Sequence, residues 1–293
     1  MAQSTPITAA ARARPFDNGV LFCSGSLVIK AKATGNTNQQ WEANEVSLLA
    51  HHIVSNPTGI AVTSNFANGP ERYAVLQNDD GTLAVMQLVE EQRIRNFVPW
   101  DTDGTIVSVC ALNEHLYAAV TRQIAGNTRY VLERFDQDLT LDAATEYTSL
   151  EDAGIVTRYG GTTLNVVAGN YHLGTLPLAI VTVPDGPYVV GLNYTSELET
   201  LPPVIEDSEG AMAGDQMRIL SADIRVIQSA RFQANGRSLA AYSVLDEVDA
   251  APPRKNGWQR FGFLGWSKDP TVLVTQADPL PNDITAIRLT VAY

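Results

Sequence analysis

RYAVLQNDDGTLAVMQLVEEQRIRNFVPWDTDGTIVSVCALNEHLYAAVTRQIAGNTRYVLERFD, residues 72–136, is a series of short apolar runs at nearly even spacing, each closed by a turn signal. Asp80-Gly81, Asp103-Gly104, Asn113-Glu114 and Gly126-Asn127 mark the ends of the runs. Asp-Gly and Gly-Asn pairs supply the positive φ angles of tight hairpins. The runs themselves are rich in Val, Leu, Ile, Thr and Tyr, which fit a pleated, half-buried surface better than a helix. The stretch predicts a meander of antiparallel strands.

Working outward, GIAVTSNFA, ERYAVLQN, GTLAVMQLVEEQ and RIRNFVPWD group as a four-stranded unit over 59–101. A second unit follows from TIVSVCAL, HLYAAVTRQ, TRYVLERFDQD and the weaker ATEYTSLE. The period of about 45 residues falls in the range of propeller blades. Counting 20–45 as a partial unit gives two to three blades, whereas a closed propeller uses about four or more. The fold class expected is all-β: antiparallel meanders in an incomplete propeller-like or stacked-sheet domain, plus a second, β-sandwich-like domain. Residues 1–15 read as a flexible or docking arm, 16–150 as the propeller-like domain, 151–187 as a small glycine-rich β insertion and 188–293 as a C-terminal β-domain. The insertion contributes the strands TLNVV and LAIVTV. Within 45–53, Val46, Leu49, Ala50 and Ile53 recur at helical spacing, so a short helical turn capped by Asn44 is expected there.

The C-terminal domain opens after an acidic segment, 206–214. MRILSADIRVIQSARF (217–232) then alternates, with Leu220, Ala222, Ile224, Val226, Ala230 and Phe232 on one parity, and reads as a strand. In GWQRFGFLGW (257–266), Trp258, Phe261, Phe263 and Trp266 interleave with glycines and are expected chiefly in the core.

Composition bounds the function. The chain has 293 residues, 45% apolar, 18% charged, with net charge −12. That acidity lacks the clustered Lys and Arg with which a protein grips a phosphate backbone. A carboxylate-lined conduit would repel nucleic acid, although solubility alone accounts for such a charge more simply. No apolar run reaches the roughly 20 residues of a spanning helix, and no secretory signal is read at the start. Assembly in a cytoplasm without membrane insertion is therefore expected.

Side chains capable of chemistry are scattered. Cys23 and Cys110 lie in apolar runs and read as buried free thiols. His51, His52, His115 and His172 show no metal-ligand spacing. Glu90 and Glu91 are neighbours, which a strand points to opposite sides, so they cannot act as a glycosidase pair. Asp136, Asp138 and Asp142 hint at a calcium loop, but Leu141 and Tyr147 occupy the positions of its glycine and glutamate. Gly160-Gly161-Thr162-Thr163 lacks the Gly-Lys-Ser/Thr ending of a phosphate loop. Asn193-Tyr194-Thr195 is a formal glycosylation acceptor, unused in a cytoplasmic chain. No residue is assigned to catalysis, to a cofactor or to a metal, and the chain does not read as an enzyme.

Residues 73–112, followed by RYVLERFD at 129–136, resemble the repeated region of the tail nozzle (tail tubular B type) proteins of short-tailed bacteriophages. VSLLAHHI (46–53), YVVGLNYTSELETLPP (188–203) and the DPLP turn at 278–281 agree with that resemblance, in order, over about two thirds of the chain. Members are usually much longer, and this chain is similar mainly to their C-terminal part. The resemblance implies a virion protein of the phage tail that assembles with itself into a ring, usually sixfold. Such a ring continues the portal and adaptor channel, carries fibre or spike proteins, and lets genome DNA pass without sequence-specific binding. Residues 72–136 would form the propeller-like wall and those after 188 the platform. The competing expectation is a tail-spike-type β-protein that binds or cleaves glycan, since fold does not choose between the two.

Overall fold

The structure, a computed structural model, describes residues 7, 11–35, 41–63, 73–89, 94–112, 115–136, 138–150, 152–169, 171–176, 187–204, 206–207, 210–211, 216–243, 246 and 251–293. Among them are 24 strands and one helix, and all strand pairings are antiparallel. The chain is all-β, and none of the described sheets closes into a barrel. It divides into two compact units, Met1–Asp138 with Arg158–Thr162, and Leu139–Thr157 with Thr163–Tyr293.

The first unit is built from three meanders. Strands β1 (Arg14–Phe16), β2 (Gly19–Ser24), β3 (Leu27–Ala33) and β4 (Trp41–Glu45) form a first sheet in chain order. Strands β5 (Gly59–Thr63), β6 (Tyr73–Gln77), β7 (Leu83–Val89) and β8 (Ile94–Trp100) form the second, and β9 (Thr105–Leu112), β10 (His115–Ile124) and β11 (Asn127–Arg134) the third. The 59–101 unit read from the sequence is thus the second sheet, and the partial unit at 20–45 is a complete sheet that starts at Arg14.

Side chains on a strand alternate between faces, and the second sheet uses both. Ile60, Ala74, Leu76, Ala84, Met86 and Leu88 pack against Phe16, Leu21, Cys23 and Val28 of the first sheet. Residues of the opposite parity, Ala61, Val75, Leu83 and Val85, pack against Ile106, Leu116, Ala118 and Val120 of the third. The turn between β6 and β7 is fixed by polar groups. Thr82 donates its backbone N–H and hydroxyl to Asp80 Oδ1 at 2.9 and 2.7 Å, which holds the Asp80 carboxyl below its ordinary pKa. The buried Asn78 ties the turn to the preceding loop, donating to Ile53 O (3.0 Å) and Thr82 Oγ1 (2.9 Å) and accepting from Ser55 N (3.0 Å). Gly81 follows with φ +86°, a conformation that other residues rarely adopt.

Residues 45–53 depart from the helical expectation. Ala50 N–Ser47 O, Ile53 N–Ala50 O and Val54 N–Ala50 O bonds make consecutive turns, and Asn44 lies in β4 rather than capping them. Leu49 is 90% exposed while Val46 and Ala50 are buried, so the four apolar residues do not share one face.

The second unit begins with β12 (Asp142–Tyr147), the segment expected as the fourth strand of the second blade. It pairs instead with a later strand. Helix α1 (Ala153–Tyr159), β13 (Asn165–Ala168), β14 (Tyr171–Thr175) and β15 (Tyr188–Leu192) follow, and the sheet order is β12-β15-β13-β14. The helix departs from the reading of 151–187 as a small β insertion. The expected strand LAIVTV lies outside the described residues. Then come β16 (Ser196–Glu199), a two-stranded hairpin of β17 (Glu206–Asp207) and β18 (Gly210–Ala211), β19 (Arg218–Ser229), β20 (Gln233–Ala234), β21 (Arg237–Ser238), β22 (Lys255–Gly262), β23 (Leu273–Gln276) and β24 (Asp283–Ala292). Two sheets, β22-β19-β24 and β16-β23-β20-β21, bury Ala222, Ile224, Val226, Phe232, Ala234, Phe261, Val272 and Val274 between them.

The parity read for 217–232 holds through the middle of β19, but a register shift between Ile219 and Ser221 puts Ile219 rather than Leu220 in the core. The aromatic cluster divides. Phe261 and Phe263 join the core, whereas Trp258 and Trp266 are about half exposed.

Replacing Met86, fully buried in the second sheet, by Ala is expected to cost about 2–5 kcal/mol. The exposed Leu132→Ala in β11 should stay within about 0.5 kcal/mol of the parent. Urea denaturation of both variants tests the two-sided burial, and equal losses would refute it.

Candidate functional site

The third sheet has one buried face and one open face, and the register assigns each residue to its side. Pairings Leu116↔Ala111, Ala118↔Val109 and Val120↔Ile106, with Ala118↔Glu133 and Val120↔Val131, define the inner side. The outer side therefore carries Cys110 and Leu112 of β9, Tyr117 and Ala119 of β10, and Tyr130 and Leu132 of β11. Tyr130 is 77% exposed, Leu132 73% and Leu112 61%. The bulge at Val107 is stabilised from behind, where Gln77 Nε2 donates to Val107 O at 2.8 Å and to Ile106 O at 3.3 Å. Arg134, at the end of the face, is paired with Asp136 at 2.8 Å.

Apart from Arg134, the charged side chains of the same sheet, Arg122, Arg129 and Glu133, lie on the inner parity. Arg122 is buried, with its Nε and Nη2 at 2.7 and 2.8 Å from the two carboxylate oxygens of Glu133. It also donates to Asp103 O (2.6 Å) and Thr102 Oγ1 (2.7 Å). A buried guanidinium whose donors are this fully engaged anchors the 101–104 connection to β10 and β11.

The residues singled out in the sequence are not brought together into a reactive cluster. Cys23 is fully buried, and burial pushes its thiol up to about 12. Cys110, expected to be buried, is exposed on the outer face of β9, because the apolar run VSVCAL belongs to a sheet with only one covered side. His51 lies 3.2 Å from Glu45, and His115 makes an edge contact with Tyr117. Asp136 Oδ1 accepts from Asp138 N, as carboxylates in turns do, and Asp142 Oδ1 accepts from Ala143 N at the start of β12. Gly160 and Gly161 have φ +58° and +83° and end α1, with Thr162 N–H and hydroxyl both donating to Tyr159 O. They form a helix C-terminus, whose dipole repels phosphate. Asn193 donates to Ala277 O at 2.8 Å. Glu90 and Glu91 lie outside the described residues.

His52 lines an open pocket of the first unit with Lys30, Lys32 and Arg95; a second histidine beside a pocket is His172. It borders an open pocket of about 380 Å³ in the second unit, lined also by Tyr171, Arg231, Tyr242, Lys255 and Asp278. Its Nε2 lies 2.8 Å from Asn165 Oδ1 and its Nδ1 3.6 Å from Asp278 Oδ1. Both ring nitrogens are thus met by protein oxygens. Among the described residues the pocket is lined by one carboxylate and no Ser, Thr or Cys, so it offers neither a paired carboxylate nor a base-activated nucleophile.

No protein-family model matches the chain, and no curated protein is recognisably similar to it. The open face of the third sheet is therefore the candidate site on physical grounds. It carries exposed Leu112, Tyr130 and Leu132 beside polar Ser108, Thr121 and the paired Arg134, and exposed apolar clusters on a surface commonly mark interaction sites.

The two thiols report on this assignment. At pH 8 a thiol reagent should modify one cysteine of the folded chain, Cys110, rapidly, and both cysteines in urea. Cys110→Ser should abolish the fast phase, and rapid reaction of Cys23 in the folded chain would contradict its burial.

Proposed function

We propose that this chain is a structural protein of a phage tail, a nozzle- or hub-like subunit that assembles with copies of itself into a ring continuing the DNA-ejection channel. The observation that carries the reading is the outer face of the third sheet. In the first unit, sheets stack face to face through two successive apolar interfaces. The third sheet presents Leu112, Tyr130 and Leu132 on a further face with no sheet against it among the described residues. A blade-like face left open in this way suits completion by another chain. The fold is one of antiparallel ribbons whose edge strands, β4, β8 and β11 among them, are the kind of element that pairs with neighbours.

Work of this type is mechanical and needs no reactive group. The subunit provides wall and platform, neighbouring portal, adaptor and fibre or spike proteins attach to the ring, and DNA passes without base-specific contacts. The chain's net charge of −12 favours passage over adhesion.

Sedimentation velocity and electron microscopy of the purified chain test the reading. A ring predicts a mass several times 31.7 kDa, six times for a hexamer. Tyr130→Asp with Leu132→Asp should shift the population toward the monomer while leaving the circular dichroism spectrum unchanged. A chain that stays monomeric at all concentrations would overturn it, and cleavage of polysaccharide by that monomer would favour the tail-spike reading.

A further inference from the structure

The two sheets of the C-terminal sandwich turn opposite charges outward. On β22-β19-β24 the register sets Arg260, Asp223 and Arg288 in one row across the three strands, and Trp258, Arg225 and Ala286 in the next. The Asp223 side chain is only 9% exposed. Its Oδ2 accepts from Arg288 Nη2 at 2.8 Å and Nε at 3.2 Å, and its Oδ1 lies 3.8 Å from Arg260 Nε. Arg260 also donates to Ser221 Oγ at 3.2 Å, and the Arg288 guanidinium lies over the Trp258 ring at 5.3 Å. One buried carboxylate thus fixes two guanidiniums that remain 71% and 68% exposed. Arg225 beside them is exposed, Arg218 at the start of β19 lies over the Trp266 ring at 5.3 Å on the same side, and Asp283 at the start of β24 adds a carboxylate there.

On β16-β23-β20-β21, Ala234 and Val274 face the core. The alternate residues Gln233, Leu273 and Thr275 therefore face outward, and pairing places Glu197 opposite Thr275 and Glu199 opposite Leu273. Both glutamates are exposed, and Glu199 Oε1 accepts from Thr271 Oγ1 at 2.6 Å. The register puts no arginine or lysine among these outward residues.

We propose that the arginine face of one copy docks on the glutamate face of the next, head to tail, an inference that rests on the self-assembly proposed above. Complementary charge selects the occupant, because a chain of net charge −12 carries acidic surface in excess and this face is a cationic exception. Arg and Trp are also the side chains that dominate interface energies. A nucleic acid fits less well, since Asp223 neutralises part of the cluster and the chain is acidic overall. Two different faces in contact make a heterologous interface, which closes into a ring when the rotation between copies permits.

Charge swaps in the full chain test the contact. Arg225→Glu with Arg260→Glu leaves Arg288, the closer partner, on Asp223; Glu197→Arg with Glu199→Arg reverses the other face. Each double variant alone is expected to weaken association at least about tenfold by sedimentation. An equimolar mixture of the two should recover assembly, because each then meets a complementary face on the other. Raising salt should weaken the parent assembly as well. Should a swap fail to fold by circular dichroism, Arg225→Gln with Arg260→Gln replaces it. Unchanged association of the variants beside an assembling parent overturns this contact and leaves the ring reading standing. A parent that never associates overturns both. Loss of oligonucleotide binding with intact assembly would reassign the face to a polyanion and overturn the proposal.

Discussion

Burial of the second sheet on both sides is the constraint from which the first unit follows. Strands β5 to β7 have no solvent side, so successive residues such as Leu83, Ala84, Val85 and Met86 are all buried, half against the first sheet and half against the third. The side-chain period is two, so a one-residue slip would exchange these sets. Leu76 and Met86, which pack in one cluster with Leu21 and Val28, would then face Ile106, Leu116 and Ala118 instead. Register is thereby fixed twice over, and the flanking sheets inherit it.

Closely stacked sheets leave little water for the polar groups of their connections, and the chain supplies partners from within. Asn78 satisfies the loop before β5 and the turn before β7 with one side chain. Gln77 reaches the carbonyls exposed by the bulge in β9, and Arg122 collects Asp103, Thr102 and Glu133. These buried amides and the guanidinium do at the corners what ladder bonds do along the strands. They also explain why polar residues sit inside otherwise apolar runs.

The legible part of the sequence is the part whose interactions are local. Hairpins announced by Asp79-Asp80-Gly81 or by the alternation of 217–232 could be read because turn chemistry and period two act over a few residues. Ala125, at φ +51°, shares the tight turn with Gly126, which shifts that turn one residue from the Gly-Asn pair. The partner of β12 was not legible, since its pairing with Tyr188–Leu192 depends on a contact more than 40 residues away in the chain. Helix α1 is a single short amphipathic segment whose Ile155 and Tyr159 are buried at a spacing of four, easily mistaken for a strand among glycines. Bulges move residues by one and erase parity locally, as at Ile219. Cys110 was misjudged for a related reason: an apolar run identifies a sheet but does not reveal which of its faces is covered. The Arg260–Asp223–Arg288 row joins three strands distant in sequence and leaves no pattern in any one of them.

Open apolar faces and charged rows make different contributions to assembly. The surface around Tyr130 and Leu132 offers affinity through area alone and accepts any flat apolar counterpart in many orientations. A row of guanidiniums pinned by Asp223 offers little net energy after desolvation, but it penalises every placement that leaves an arginine without an acceptor. In the proposed ring the two are therefore not redundant. The apolar face sets whether copies associate, and the opposed charges of the sandwich set which face meets which, so that a stack of sheets able to adhere in many ways adds subunits in one direction only.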